Sequence, residues 1–187
     1  VGIHPATLIA APIRVAVILG DITVGIDAGS ADSSQSSGTA KSTASYTNQG
    51  LNARYFFGNS FNASFGYHMR NYSAEATATS SSSTYSGGSW TTTTASETFT
   101  LDAKTTVATL GIGNHWLMDW GLWIGVDWLL ASNALSQTSE ATLTSSTGTV
   151  TAAESAKFKK DAEKLGDLIN AVSASSGFAV LTIGFAF

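Results

Sequence analysis

The sequence predicts an all-β protein, an eight-stranded antiparallel transmembrane β-barrel, from three observations. Charged residues make up 12% of the 187 residues, about half the share of a typical soluble domain, while strand-forming Thr, Val, Ile and aromatic residues are frequent. Apolar and polar residues alternate with a period of two over most of the chain. Short turns alternate with long connections rich in Ser and Thr. At this length we expect a single domain, residues 1–187.

The first 20 residues allow two interpretations. Apolar runs at Ile3–Ile9 and Ile13–Leu19 are separated at residues 10–12 by Ala-Ala-Pro. Two short strands joined there would give eight strands and place both termini on the periplasmic side. One continuous strand would give seven and leave the N-terminus outside. Single-chain bacterial barrels have even strand numbers, which favours eight.

Six later segments alternate between an apolar face and a face of polar residues or glycine. They are Ile22–Gly29, Leu51–Phe57, Phe61–Arg70, Ala108–Trp116, Trp120–Leu130 and Ala179–Phe187. In Trp120–Leu130 the apolar set is Trp120, Leu122, Ile124, Val126, Trp128 and Leu130. We expect these apolar sets to face lipid, with the aromatic residues near strand ends forming the two interfacial girdles.

The connections differ in length in a regular order. Gly20-Asp21, Gly58-Asn59-Ser60 and Met118-Asp119 are predicted to be tight turns. The Ser/Thr-rich stretches at about residues 31–44, 79–97 and 135–176 are predicted to be long loops. Bacterial outer-membrane barrels place short turns in the periplasm and long loops outside. The predicted location is therefore the bacterial outer membrane, with extracellular long loops and a periplasmic C-terminus.

In one segment, about residues 152–172, the apolar residues no longer recur with a period of two. Its apolar residues recur at i+3 and i+4 spacing: Phe158, Ala162, Leu165, Ile169 and Val172. This predicts an amphipathic helix in the last extracellular loop. It could cap the barrel mouth, lie on the outer leaflet or contact a partner, and its mixed charge favours a lid because the acidic residues nearly neutralise the lysines.

The last strand resembles the C-terminal targeting signal of outer-membrane barrels. Phe187 is the last residue given, and Phe185, Ile183 and Leu181 precede it at every second position. Gly184 departs from the usual pattern, in which the glycine lies two residues earlier. The strand layout as a whole is similar to that of small OmpA/OmpW-type barrels. The resemblance implies recognition by the barrel-assembly machinery, and it carries over no catalytic or ligand-binding residue.

A soluble lipocalin-like barrel or β-sandwich is the alternative, because the strands of either fold would also alternate apolar and polar residues. In those folds the apolar face points inward and the charged face outward. The aromatic residues at strand ends and the terminal alternation of Phe185 and Phe187 favour the membrane barrel.

Charged residues fall on the face predicted to point inward. They are Arg14, Asp27, Arg54, Arg70 and Asp127, with His68, Asn52 and Asn62 as further polar residues of the lumen. The interior of an eight-stranded barrel is just wide enough for side chains. Isolated buried charges are too costly, so we expect Asp27 and Asp127 each to pair with an arginine. These inward charged and polar residues predict a structural plug of ion pairs, with a gated conduit as the alternative.

Catalytic and metal sites are not predicted. The chain has no Cys, and its three histidines, His4, His68 and His115, have no partner at a spacing that would define a catalytic group or a metal site. No basic stripe suited to nucleic acid is present. We therefore expect no enzymatic activity, cofactor or nucleic-acid partner.

The sequence thus predicts an outer-membrane barrel with a closed, ion-paired interior and a structural or partner-binding role. The alternatives are a narrow conduit for small or hydrophobic molecules and, as the less favoured of the two, a lipid-A-modifying enzyme. Expected partners are membrane lipids and lipopolysaccharide, the assembly machinery, and another outer-membrane or surface protein.

Overall fold

The structure is a computed structural model that describes residues 2–3, 13–146, 152–173 and 177–186. They form one antiparallel sheet and one helix. The strands are β1 Gly2–Ile3, β2 Ile13–Leu19, β3 Ile22–Ser37, β4 Ala40–Phe57, β5 Phe61–Ser86, β6 Ser89–Leu117, β7 Leu122–Ser145 and β8 Gly177–Phe185, and the helix is α1 Ala152–Ser173. The prediction of an all-β antiparallel fold with one helix is confirmed, and the helix bounds agree with the predicted 152–172.

The strand order is β1-β8-β7-β6-β5-β4-β3-β2, and every neighbouring pair is antiparallel. Seven of the strands have seven or more residues, while β1 has two. Among the described residues β1 and β2 do not pair, so the sheet is open between its two edges. The predicted break at residues 10–12 lies outside the described residues.

Two of the three predicted long loops are wrong. Residues 31–44 and 79–97 continue as strands and meet in tight hairpins at Gly38-Thr39 and Gly87-Gly88. Gly38, Gly87 and Gly88 have φ values of 55°, 62° and 83°, which such turns require and glycine adopts without strain. The third stretch also begins as strand, since β7 continues to Ser145 before α1.

Hydroxyl pairs explain why these polar segments still form a ladder. Ser81 and Thr94 lie 3.3 Å apart across β5 and β6, and Ser83 and Thr92 lie 3.0 Å apart. Thr has high strand propensity, and cross-strand hydroxyl pairs stabilise a sheet that is solvated on both faces. The sequence lacks apolar alternation here because neither face is buried.

In the part of the sheet next to the turns that follow β2, β4 and β6, apolar side chains are exposed and polar side chains are buried, the reverse of a soluble protein. Large apolar side chains are exposed, among them Val15, Val17, Val24, Ile26, Leu51, Phe65, Met69, Leu110, Leu181 and Phe185. Charged and polar side chains are buried, among them Asp27, Asn48, Asn52, Arg54, Asn62, His68, Arg70, His115 and Asp127. The alternation that predicted these two faces therefore gives an apolar exterior and a polar buried face.

A β-bulge changes the facing of one predicted residue. Ile112 pairs with Leu129 and Gly113 pairs with Asp127, so Trp128 is an extra residue in β7. Trp128 and Leu129 are both exposed. Leu130 consequently lies on the buried face, where its Cδ1 is 3.0 Å from the position of a Cβ built on Gly111. The prediction that Leu130 faces outward is wrong.

Trp120 is a second correction. It was predicted to begin a strand, but β6 ends at Leu117 and β7 begins at Leu122, so Trp120 lies in the intervening turn and is exposed.

The helix packs against β6 near Leu101 and against β7 near Ala141. Ala162 forms a small apolar core with Leu101 and Ala141, and Ile169 packs against that core. Leu101 and His115 lie on the same buried face of β6, so α1 covers the continuation of that face. No helix in the described part of the chain is both long and apolar enough to cross a membrane.

Candidate functional site

The candidate site is a network of buried charges on the inner face of the sheet. Arg14 and Asp27 are directly opposite each other on β2 and β3. The guanidinium donates two hydrogen bonds to the carboxylate, Nε to Oδ1 at 2.7 Å and Nη2 to Oδ2 at 2.9 Å. Asp27 is 4% exposed. This bidentate geometry is the strongest that such a pair can adopt.

A second bidentate pair joins strands that are not neighbours. Arg54 on β4 donates from Nη1 to Asp127 Oδ1 at 2.6 Å and from Nη2 to Oδ2 at 2.9 Å, and Asp127 lies on β7. In a flat sheet these strands would be about 14 Å apart, at about 4.8 Å per strand. The sheet therefore curves strongly around the pair. Arg54 also donates to Asn62, whose amide donates to the carbonyl of Ser60 at 3.0 Å.

His115 and Trp123 complete the group around Asp127, and their roles were not predicted. The indole of Trp123 donates to Nδ1 of His115 at 2.8 Å. In the neutral ring this leaves the hydrogen on Nε2, which faces Asp127 Oδ1 at 3.3 Å. Three donors thus converge on the Asp127 carboxylate. The position of His115 on the polar face was the available sequence signal, but its partners depend on the pairing of β6 with β7.

His68 lies beside the first pair without a hydrogen bond to it. Its Nδ1 is 4.0 Å from Asp27 Oδ2 and has no partner. The ring occupies space left by two glycines. A Cβ at Gly50 would lie 2.3 Å from Nδ1, and a Cβ at Gly66 would lie 2.5 Å from Nε2. Any larger residue at either position would displace the ring.

Arg70 lies in the same face but outside both ion pairs. Its Nε donates a long hydrogen bond of 3.4 Å to the amide oxygen of Asn48. Its Nη1 is buried without a partner, as is Nδ2 of Asn52. The sequence placed Arg70 and Asn52 on this face, and the structure does not bring Arg70 to either aspartate.

A cavity of about 140 Å³ lies next to the network. Its walls include Arg14 and Ala16 of β2, Arg54, and Thr182 and Gly184 of β8. The strand β2 is one edge of the sheet and β8 is next to the other edge strand, so strands from both sides of the strand order border one space.

Two further predictions concern the C-terminus and metal binding. Phe185 is exposed on the apolar face and its ring packs edge-on against Trp120, with centroids 6.2 Å apart. Phe187 and His4 lie outside the described residues. Within the described ranges no three His, Asp or Glu residues come together as a possible metal site.

The chemistry of this arrangement is charge compensation. Each buried aspartate is held by a guanidinium, and the second is also held by an imidazole. Comparison with protein-family models, curated proteins and solved structures gave no match.

Proposed function

We propose that the sheet closes into an eight-stranded barrel through pairing of β1 with β2. Along the strand order the directions alternate, so these two edge strands run in opposite directions and are suited to antiparallel pairing. Closure is supported by the Arg54–Asp127 contact between β4 and β7 and by the cavity that β2 and β8 line together. Bacterial single-chain barrels have even strand numbers, and a membrane barrel leaves no strand edge unpaired in lipid.

We further propose that the barrel spans the outer membrane. On β5 the exposed apolar series runs from Phe61 to Met69, after which Asn71 and Ser73 follow on the same face. A tilted transmembrane strand has about 9–11 residues. The apolar series therefore has the height of a hydrocarbon core, and an apolar exterior around buried charges is stable where lipid replaces water.

The function we infer is that of a closed, non-enzymatic membrane barrel with a structural or partner-binding role, of the small OmpA/OmpW-like class. The observation that carries it is the pair of bidentate ion pairs within the curved sheet. Arg54 and Asp127 join β4 to β7, so their side chains occupy the space through which a solute would pass. The partners expected from this role are lipids, lipopolysaccharide and the assembly machinery.

The hairpin that joins β5 to β6 at Gly87-Gly88, here called the upper hairpin, supports a partner-binding role. β5 and β6 have 26 and 29 residues, more than twice the about 9–11 residues that a membrane crossing needs. Their tip carries Tyr85 and Trp90, both exposed, with ring centroids 5.1 Å apart. Exposed aromatic residues of this kind are typical anchors in protein interfaces.

The test combines folding with conductance. The chain should fold in detergent or lipid vesicles and migrate differently on a denaturing gel when heated, and in planar bilayers it should conduct almost no current. Recovery as a soluble monomer without detergent would refute the membrane barrel. Steady ion conductance would refute the closed interior alone.

A narrow conduit is the second candidate, and the cavity between β2 and β8 is the observation that favours it. The double variant Arg54→Met/Asp127→Ala distinguishes the two roles. Its conductance should stay near zero if the ion pair is structural and should rise if the pair gates a path.

A further inference from the structure

Arg70 is a buried cation without an anion. It is 5% exposed, and its Nη1 is buried and unpartnered. Among the described residues its ionisable neighbours with an electrostatic effect are Tyr46 and His68, and the two buried aspartates form their ion pairs with Arg14 and Arg54 instead. An uncompensated charge removed from water is strongly destabilising. Arg14 and Arg54, on the same face, are both compensated by aspartates.

A second unpartnered donor lies beside it. Tyr46 is 6% exposed, and its hydroxyl is buried without a hydrogen-bond partner. Asn48 pairs with Arg70 and Tyr46 pairs with Tyr72 across β4 and β5, so Tyr46 and Arg70 are diagonal neighbours on the buried face. Diagonal neighbours are within reach of each other when both side chains are long.

The helix covers this part of the sheet. Thr105 on β6 pairs with Arg70, and its hydroxyl bonds to Asn170 of α1. Asn170 also donates to the carbonyl of Thr138 on β7 at 3.1 Å. Thr105 and Asn170 are themselves buried. The helix thus reaches the cross-strand neighbour of Arg70, and the donors of Arg70 and Tyr46 lie on the face of the sheet that α1 covers further along.

We propose that Arg70 and Tyr46 form a binding site for a small inorganic anion, chloride or phosphate, on the inner face of the sheet beneath α1. The anion supplies the missing negative charge and accepts hydrogen bonds from guanidinium Nη1 and the phenol hydroxyl. Asn48 holds the guanidinium through Nε, and Nη1 is left without a partner and available to the ligand. A buried water could accept the same hydrogen bonds, but it would not neutralise the charge. The proposal is independent of the barrel's role.

The experiment measures the urea unfolding midpoint of the full chain refolded in detergent. Chloride and, separately, phosphate replace gluconate at constant ionic strength. A ligand that binds the folded state raises the midpoint and the effect follows its dissociation constant. We expect a saturable rise in wild type with at least one anion. Chloride alone would indicate a compact spherical site, and phosphate alone an oxyanion site; either supports the proposal.

Three variants assign the effect to this site. Arg70→Met should weaken the anion dependence at least tenfold, and Tyr46→Phe should weaken it severalfold while retaining the charge and the ring. Lys104→Met is the matched control, because Lys104 is adjacent to Thr105 but exposed on the opposite face, and it should behave as wild type. If Arg70→Met does not fold, the comparison of the anion dependence of the unfolding midpoint between wild type and Tyr46→Phe tests the proposal. The proposal is overturned if wild type shows no saturable anion effect, or if Tyr46→Phe and Arg70→Met retain the full effect.

Discussion

Removal of the Asp127 carboxylate should destabilise the protein far more than removal of the whole ion pair. In Asp127→Ala, Arg54 loses both bidentate hydrogen bonds while its side chain is 4% exposed. Breaking a buried pair in this way costs about 3–5 kcal/mol because the remaining charge is uncompensated. In the double variant Arg54→Met/Asp127→Ala no charge remains. The cost then reduces to the lost acceptor of His115 and the lost donor to Asn62, about 1–3 kcal/mol in total.

The Arg14–Asp27 pair provides the matched comparison. Its hydrogen-bond lengths are nearly the same, but the side chain of Arg14 is 35% exposed. Solvent can therefore stabilise the guanidinium after Asp27→Ala, and the cost should be clearly smaller than for Asp127→Ala. Both pairs face the same side of the sheet, and they differ in burial of the arginine and in the additional His115 and Asn62 contacts of the second pair.

The assay is urea unfolding in lipid vesicles, followed by tryptophan fluorescence. The three variants and wild type should have similar slopes and differ in midpoint. If Asp127→Ala and the double variant agree within about 0.5 kcal/mol, the uncompensated Arg54 charge does not account for the cost of Asp127→Ala. That result, or an equal cost for Asp27→Ala, would contradict the account of the network.

Three further predictions use other parts of the sheet. Ile124→Arg on the apolar face should cost about 2–4 kcal/mol in vesicles, whereas Ser82→Arg in the upper hairpin should stay within about 0.5 kcal/mol of wild type; equal midpoints would show that the facing is wrong. Gly50→Ala should cost about 1–3 kcal/mol because its Cβ would overlap the His68 ring and lie 2.6 Å from the backbone oxygen of Tyr67, and His68→Ala in the same chain should restore only the part due to the ring. Gly166→Leu should loosen α1, whose glycine lies against β7, so limited proteolysis should cleave the helix region faster while the gel shift on heating persists.

The sequence predicted which face each buried charge occupies, because a period of two fixes facing locally. Arg14, Asp27, Arg54, Arg70 and Asp127 all lie on the buried face of the structure. The partner of each charge was not predictable. Pairing across β4 and β7 depends on the curvature of the sheet, and no local pattern encodes that curvature.

The errors have equally specific causes. Leu130 was assigned to the wrong face because the extra residue Trp128 reverses the alternation after it, and nothing in the composition of that strand marks the bulge. The sequence predicts loops for the Ser/Thr-rich hairpins because alternation is a signal only where one face is buried. Trp123 was overlooked because its role requires His115 of the neighbouring strand.

The order of the strands has a consequence for how the protein folds. Each strand pairs with its predecessor or successor in the chain, with the sole described exception of Gly2–Ile3 against Leu181–Thr182. Tight hairpins close at little entropic cost, whereas joining the two ends of the chain closes the longest loop. We therefore expect assembly to proceed as successive hairpins, with the pairing of Gly2–Ile3 and Leu181–Thr182 forming last. We expect unfolding to begin at this same short pairing, so that its strength influences the lifetime of the folded protein.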